Sequence, residues 1–255
     1  MLPAALLALA GLTAASPNVI LHFSPRICMP GLETDVLITH QWAYYALTNG
    51  TGQGQVPDNT MPGSYQDQFS TDAVKGVEPT TTGTSLRITY GSESEECDAS
   101  PAVVDGVSQG NASHATYSVV QHRGYLVAEQ TGNYTLSVSA SDLVAAWFGQ
   151  DAVSGWDWSN VAVMAQSDGD DEDGGSDGLQ TYSFEATEGD YLPMRIMYVN
   201  AQGCSALSVN FTRPDGMEIL GADDIRSQNV IRDCIGGDPR YPNKALPFVP
   251  WSQES

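Results

Sequence analysis

Basic residues are scarce in this chain of 255 residues. Lysine and arginine together number 10 against 31 aspartates and glutamates, and the formal net charge is −21. Such a surface repels nucleic-acid phosphates and anionic lipid headgroups, and it attracts divalent cations. We therefore predict no nucleic-acid partner and no membrane insertion of the mature chain, although an acidic surface also serves solubility alone.

Sequence signatures of zinc centres and of common catalytic sites are also missing. No Cys-x-x-Cys pair occurs, and the spacing of the histidines does not predict a zinc site, because they are scattered at His22, His40, His114 and His122. There is no nucleophile elbow, phosphate loop or nucleotide fingerprint. Some carboxylate pair will reach glycosidase spacing by chance, but no strand-end motif singles one out. We predict that the chain is not an enzyme.

No long segment has a convincing helical period, and short alternating segments take its place. Residues 35–47 fit either a short helix or a strand, whereas residues 48–83 read as long loops with little core. With 25 glycines and 14 prolines, the pattern predicts an all-β sandwich or barrel. Period-two alternation of apolar and polar residues marks the predicted strands, at Leu86–Tyr90, Tyr134–Val138, Tyr182–Phe184, Met194–Tyr198 and Leu207–Phe211.

The N-terminal apolar run is typical of a secretory leader. It extends from Leu2 to Leu12, too short to span a membrane, and we expect residues 1–15 to be removed as a signal peptide. We assign residues 16–235 to one β-sandwich domain and residues 236–255 to an extended C-terminal tail, which has no terminal apolar run for a lipid anchor. The chain is thus expected outside the cell, secreted or at the cell surface or wall.

Cysteines and glycosylation sequons agree with export. Four cysteines suggest two disulfides, and the sequence leaves all three pairings open. Four Asn-x-Ser/Thr sequons predict N-linked glycans. The cysteines are Cys28, Cys97, Cys204 and Cys234, and the sequon asparagines are Asn49, Asn111, Asn133 and Asn210.

Oxygen-bearing residues recur in three segments. The run from Gly124 to Gly149 includes a Ser-Asp bend, and the run from Gly189 to Gly203 includes an Asn-bearing loop. Oxygen-rich loops at one end of a β-scaffold can hold a hard cation and a sugar together. The stretch from Ser167 to Gly178 carries six acidic residues but lacks the helices and closing glutamate of an EF-hand, so we interpret it as a solvated insertion.

The sequence resembles the fungal adhesin lectins of the PA14 superfamily, particularly the GLEYA branch related to the flocculins. The resemblance spans roughly Tyr117 to Gly216, and the pentapeptide that names the branch is absent. It implies a PA14-like β-sandwich with long loops at one end, acting as a carbohydrate-binding adhesin domain on cell-surface or wall glycans. The matching elements are G-Y-L-V-A-E-Q-T-G-N-Y-T, S-D-L-V-A-A-W-F-G, W-D-W-S-N, G-D-Y-L-P-M-R-I-M-Y-V-N-A-Q-G and L-S-V-N-F-T-R-P-D-G.

The same resemblance implies a calcium-assisted sugar site. Calcium takes six to eight oxygen ligands, so protein loops can leave positions open for sugar hydroxyls. Asp142 matches the second of the family's two adjacent aspartates, Asn200 matches its loop asparagine, and main-chain carbonyls near Gln202 and Cys204 would complete the metal site. Ser141 stands where the family has its first aspartate, and the loss of that carboxylate should weaken calcium binding.

Each implied site residue also has a structural interpretation. Asp142 fits a turn at the end of a strand, and Asn200 fits a hairpin that needs a positive φ. Trp156 and Trp158 are candidates to stack on a sugar face, but tryptophans at this spacing are more often core residues. Arg195 is expected to pair with an acidic neighbour. Ser141 therefore keeps an alternative open, in which a degenerate sandwich without metal acts through protein contacts or as a wall component.

Overall fold

A computed structural model describes most of the predicted domain. Its described residues are 39–57, 65–92, 101–110, 115–167, 178–203, 205–220, 230–231 and 247–255. The predicted signal peptide, all four cysteines, the Asn111 sequon and the acidic run at 168–177 lie outside them. Within this part of the chain, no helix is both long and apolar enough to cross a membrane.

A seven-stranded antiparallel sheet forms one layer. Its strands are β1 (His40–Ala46), β4 (Thr81–Ser85), β8 (Ser118–Val127), β10 (Asp142–Phe148), β11 (Val163–Ser167), β13 (Tyr191–Asn200) and β16 (Val230–Ile231). Six of them follow the order β11-β10-β13-β8-β1-β4, and β16 pairs with the end of β8 that β1 does not reach.

A four-stranded sheet forms the second layer and contains β9 (Gly132–Ala140), β12 (Gln180–Ala186), β14 (Leu207–Thr212) and β15 (Glu218–Leu220). Its strand order is β12-β9-β14-β15. Two smaller sheets are β2 (Thr48–Asn49) with β3 (Gln55–Val56), and β5 (Tyr90–Ser92) with β6 (Ala102–Val104) and β7 (Val107–Ser108). The helices are short: α1 (Tyr65–Gln68), α2 (Gln150–Val153), and 3-10 turns at Thr71–Ala73, Trp158–Asn160 and Trp251–Gln253.

The alternation in the sequence sets the faces of the four-stranded sheet. In β9, Tyr134, Leu136 and Val138 are fully buried, while the intervening residues are only half-buried. This is the behaviour of a strand with one face in the core and one toward water. The predicted all-β sandwich is confirmed here, and the apolar face of β9 packs toward the seven-stranded sheet in a core that includes Ile196.

The seven-stranded sheet is covered on both faces, which the sequence did not predict. Every residue of β8 is buried, and a second apolar cluster lies on its outer face. Phe69 and Val74 belong to that cluster, so residues 48–83 contribute more core than expected. Trp147 is fully buried in the same cluster. A sheet buried on both sides needs apolar residues at consecutive positions, which hides the period of two.

Two local predictions were also imprecise. The segment 35–47 forms a strand from His40 onward, with residues 35–38 outside the described part. The predicted strand Leu86–Tyr90 is divided: β4 ends at Ser85 in the large sheet, and β5 begins at Tyr90 in a small one. Ile88 is nonetheless fully buried between them. A chain that changes sheets keeps its inward residues but loses its continuous ladder.

The end of the predicted tail lies against the large sheet. Within residues 247–255, Glu254 is buried, and its carboxylate accepts hydrogen bonds from Arg123 on β8 and Arg195 on β13. Trp251 lies over the Arg123 guanidinium at 3.4 Å from ring centroid to Cζ. Arg195 therefore has the acidic partner expected of it, though the partner comes from the far C-terminus.

Candidate functional site

Three neighbouring strands end at the same rim of the large sheet. β10 begins at Asp142, β13 ends at Asn200 and β8 begins at Ser118. The antiparallel registers pair Leu143 with Val199 and Asn200 with Ser118. Because these strands are adjacent, the Ser-Asp bend and the Asn-bearing loop, which are far apart in sequence, lie side by side. We call this place the strand-end rim.

The Ser-Asp bend is tied to the loop that follows β13. Asp142 is buried, and its Oδ2 accepts a hydrogen bond from the main-chain N–H of Ala201 at 2.7 Å. Ser141 Oγ accepts from the N–H of Ala206 at 2.9 Å, and the Ser141 N–H donates to the Ala206 carbonyl. Both candidate ligand residues of the bend thus face the 200–206 loop, as a shared site requires.

Asn200 brings a buried amide into the rim. Its Nδ2 donates to the carbonyl of Ala115 at 2.7 Å, and no hydrogen-bond partner within the described residues reaches its buried Oδ1. An unsatisfied buried carbonyl oxygen costs about 1–3 kcal/mol, so nearly all such groups have a partner. The amide plane is fixed by its donor side, and its acceptor side remains available to a cation or a water molecule.

A polar network extends the rim outward. Gln202 Nε2 donates to the phenol oxygen of Tyr117 at 2.7 Å, and Asn49 Nδ2 donates to the same oxygen at 3.3 Å. Gln202 and Tyr117 are half-buried, whereas Asn49 is exposed. The sequence indicated Gln202 but missed Tyr117, because only the packing of strands brings the residue before β8 to the loop after β13.

The strand-end rim contains a buried acidic residue. Asp142 is 2 % exposed, and a buried carboxylate needs compensating charge or donors, one of which is the Ala201 N–H. Tyr198 lies nearby, and burial raises its pKa well above the usual value, with Tyr90 and Asp142 adding to the effect. Tyr198 therefore stays a neutral hydroxyl at physiological pH and adds no second negative charge beside Asp142.

The predicted tryptophan contacts are not at this rim. Trp156 is fully buried, with the Arg195 guanidinium 4.5 Å and the Lys75 ammonium 5.0 Å from its ring centroid. Trp158 is half-buried and donates its indole N–H to the carbonyl of Phe69. Both rings contact Trp147, which lies five residues along β10 from Asp142, roughly 16 Å at the rise of a strand.

The tryptophans lie in an apolar cluster rather than at the rim. They form the outer-face core of the large sheet, so Trp156 has no exposed face to offer a sugar. Cys204, whose carbonyl was a candidate ligand, lies outside the described residues. Of the five candidate metal residues, the described structure gathers Asp142, Ser141, Asn200 and Gln202 at one rim.

Part of the chain matches a known protein family. Residues 118–213 match the family model described as GLEYA domain, a span that contains β8, β10, β13 and every rim residue except Tyr117, Ala115 and Asn49. No curated protein has a sequence significantly similar to the chain.

The fold is similar to those of solved adhesin domains. The epithelial adhesin 9 A domain of Candida glabrata, in complex with Galβ1-4GlcNAc, matches with a TM-score of 0.54 and 16% identity, over 83% of this chain and 96% of that one. The epithelial adhesin 6 A domain of the same organism, with Galβ1-3GlcNAc, matches at 0.52 and 16%, over 86% and 97%. A PA14 sugar-binding domain from an RTX adhesin matches at 0.50 and 19%, over 78% and 99%.

Proposed function

We propose that this chain, which contains a GLEYA-type adhesin domain, is an extracellular carbohydrate-binding domain that recognises glycans of a cell surface or wall. One observation carries the proposal. The segment that matches the family brings Asp142 and Asn200 together at adjacent strand ends, and Asn200 keeps a buried oxygen without a partner among the described residues. A buried acceptor beside a buried carboxylate is the arrangement that a bound cation or a sugar hydroxyl group would satisfy.

The donor set of the rim fits calcium better than other common metals. A carboxylate, an amide oxygen and main-chain carbonyls are the hard oxygen ligands that calcium prefers, and no nitrogen or sulfur ligand lies among the described rim residues. Asp142 and Asn200 would hold the ion, which in turn would orient two hydroxyls of the sugar. With a single carboxylate, we expect weaker calcium binding than a two-aspartate site would give.

The effect of the missing carboxylate can be tested directly. Ser141→Asp adds a second carboxylate while keeping an oxygen that can accept from the Ala206 N–H, as Ser141 Oγ does. We expect calcium affinity to rise at least tenfold by isothermal titration calorimetry. Ser139→Asp, two residues back along β9, is the control and should not change the affinity. If Ser141→Asp and the unmodified protein had the same calcium affinity, the proposed calcium site would be refuted.

The half-buried network of Tyr117 and Gln202 is the proposed contact surface for the sugar. Hydroxyl and amide groups can exchange hydrogen bonds with sugar hydroxyls, and the Tyr117 ring can cover an apolar face of a pyranose. The solved adhesin domains with a similar fold contain galactose-terminated disaccharides, so we take Galβ1-4GlcNAc and Galβ1-3GlcNAc as the first test compounds.

A glycan array, run with calcium and then with a chelator, tests the function. We expect a defined set of glycans to bind the unmodified protein and Asp142→Asn to lose at least tenfold in affinity. The matched control is Asp190→Asn, because Asp190 Oδ2 also accepts from a main-chain N–H, that of Thr187 at 2.8 Å, but in a distant turn. Equal binding by Asp142→Asn and Asp190→Asn would contradict a site at this rim.

Ser141 favours one alternative, a sandwich that has lost metal and sugar binding and acts through protein contacts or as a wall component. An empty glycan array under both conditions would support that alternative. The similar folds are adhesin and sugar-binding domains, and we infer binding without turnover for this chain. Release of the chromophore from an aryl glycoside by the purified protein would overturn that inference.

A further inference from the structure

A second group of polar side chains lies inside the sandwich, away from the strand-end rim. His40 comes from β1, His122 from β8, and Asp105 from the turn between β6 and β7. The β1–β8 register pairs Trp42 with His122, so His40 lies diagonally across from His122 on the inner face of the large sheet. The side chains of all three are at most 2 % exposed.

The three nearest ligand atoms form a compact triangle. His40 Nε2 lies 2.9 Å from His122 Nδ1, and Asp105 Oδ2 lies 3.9 Å from the first nitrogen and 3.7 Å from the second. The point equidistant from all three atoms falls inside the triangle, about 2.1 Å from each, which is the usual distance from zinc to imidazole nitrogen and carboxylate oxygen. One ion could therefore contact all three atoms with little movement.

The local fold aims the carboxylate at this point. Asp105 has a φ of 52°, and its Oδ1 accepts from the N–H of Thr89 at 2.7 Å. Arg87 Nη2 donates to the Asp105 carbonyl at 3.2 Å and holds the same turn. Oδ2 is left buried, with no hydrogen-bond partner within the described residues. A lone buried carboxylate oxygen is costly, and it is the group that a cation would satisfy.

We propose that His40, His122 and Asp105 form a binding site for a divalent transition-metal ion of the zinc class. Two imidazoles and one carboxylate suit zinc, cobalt or nickel, and they do not suit calcium, which takes oxygen ligands. Three protein ligands leave at least one position for water. The ion would fasten the small sheet β5-β6-β7 to the inner face of the large one, since its ligands come from both.

A plain hydrogen bond between the histidines is the competing account. In that arrangement one ring nitrogen donates to the other, and Asp105 Oδ2 at 3.7–3.9 Å is too distant to take part. The two accounts differ in whether metal binding depends on Asp105, because its carboxylate is a ligand only in the metal site.

The test uses full-length protein refolded in chelator to remove metal and then titrated with Co²⁺ or refolded in its presence. We expect one Co²⁺ per chain, with the visible absorption bands of a low-coordinate nitrogen–oxygen site, and its displacement by one equivalent of Zn²⁺. Asp105→Asn should lower Co²⁺ affinity at least tenfold. Asp157→Asn is the matched control, because Asp157 Oδ1 also accepts from a main-chain N–H at 2.7 Å, that of Ser159.

Three results would overturn the proposal. They are a wild-type chain that binds no Co²⁺ even when refolded with it, a folded Asp105→Asn variant with unchanged affinity, and Co²⁺ binding that is lost in Asp142→Asn instead. If Asp105→Asn fails to fold, X-ray absorption of the zinc-loaded wild-type protein decides. A first shell with two imidazoles supports the site, and a shell of oxygens alone refutes it.

Discussion

Three residues other than glycine have φ in the left-handed region in the described part of the chain: Asp105, Tyr117 and Asp142, at 52°, 49° and 64°. One belongs to the histidine group, and the other two belong to the strand-end rim. The left-handed conformation costs an ordinary residue about 1–2 kcal/mol, and such residues cluster at functional sites. The backbone thus points to the same two places as Asn200 Oδ1 and Asp105 Oδ2, two buried oxygens without a hydrogen-bond partner among the described residues.

Two substitutions of Asp142 distinguish its effect on backbone strain from its effect on calcium binding. Asp142→Ala should lower the free energy of unfolding by about 2–4 kcal/mol, because it combines left-handed strain with the loss of the acceptor for the Ala201 N–H. Asp142→Asn keeps both the conformation and an acceptor, so it should cost less than about 1 kcal/mol while abolishing calcium-dependent stabilisation. Urea unfolding with and without calcium measures both effects. Equal costs for the two variants would show that φ at this position is unimportant.

The buried histidines predict how stability depends on pH in metal-free protein. Burial lowers the pKa of His40 to about 3 and that of His122 well below its usual value. Between pH 6.5 and 4 both histidines are therefore protonated in the unfolded chain and neutral in the folded chain. Acidification favours the state that binds more protons, so it destabilises the fold. Asp105 opposes this, because burial raises its pKa to about 7 and the folded chain takes up its proton first.

Two histidines against one carboxyl leave a net loss of about 1.4 kcal/mol per pH unit in that range. Urea unfolding in chelator at pH 7, 6, 5 and 4 measures the slope. The comparison with His122→Asn separates the contribution of the histidine group from that of the other acidic residues. This variant removes one of the two imidazoles whose protonation favours the unfolded state. Its slope should be shallower by about 1.4 kcal/mol per unit. If the free energy of unfolding had the same pH dependence in both proteins, His122 would not be a buried neutral imidazole.

At the scale of elements, the C-terminal segment closes the outer face of the large sheet. Glu254 Oε1 lies 2.6 Å from Arg195 Nη2 and 2.5 Å from Arg123 Nη1, with all three side chains buried. Burial lowers the pKa of Arg123 to about 10, and the Glu254 carboxylate acts against that shift. Two adjacent buried guanidinium groups need this carboxylate, so the segment is part of the fold rather than a free tail.

Removing the Glu254 carboxylate should strongly lower the stability of the fold. We expect Glu254→Gln to lower the free energy of unfolding by about 3–5 kcal/mol, because it leaves two buried cations without a countercharge. Glu185→Gln, at an exposed position on β12, is the control and should change stability by less than about 0.5 kcal/mol. Thermal and urea unfolding of both variants provide the measurement. A loss near that of the control would mean that the arginines find other partners.

At the scale of the whole molecule, the small sheet links the two sites. Tyr90 on β5 donates its hydroxyl hydrogen to the Ala115 carbonyl, which also accepts from Asn200 Nδ2. Tyr90 also lies 2.6 Å from Ser118 Oγ at the start of β8. His122 lies four residues farther along β8 than Ser118, roughly 13 Å away. A metal ion that fastens the small sheet would therefore also steady the main chain beneath the strand-end rim.

This link predicts an effect on glycan binding from a residue outside the rim. Tyr90→Phe should lower glycan affinity about threefold to tenfold and stability by about 1–2 kcal/mol, because it frees the Ala115 carbonyl from one donor. Tyr134→Phe is the matched control: its hydroxyl is also bonded to a main-chain carbonyl, that of Gln130, but at the other end of β9. It should lose similar stability without losing affinity. Equal affinities of the two variants would argue against the link.

Part of the candidate site was predictable and part was not. The family-like motifs indicated Asp142, Asn200 and Gln202, and the strand pairing brings them together. The tryptophans followed the same motifs but lie in a core, because a sheet covered on both faces needs large apolar residues on its outer side as well. Tyr117 could not be predicted, since its place depends on packing between segments 85 residues apart.

The sequence alone determined the all-β class, the apolar faces of the four-stranded sheet and the acidity of the surface, because alternation and composition are local properties that each segment carries by itself. Only the tertiary structure decided which distant groups meet. His40 and His122 are 82 residues apart, and Glu254 and Arg195 are 59 apart. No local period records such pairs, since strand register and the docking of the C-terminal segment bring them together.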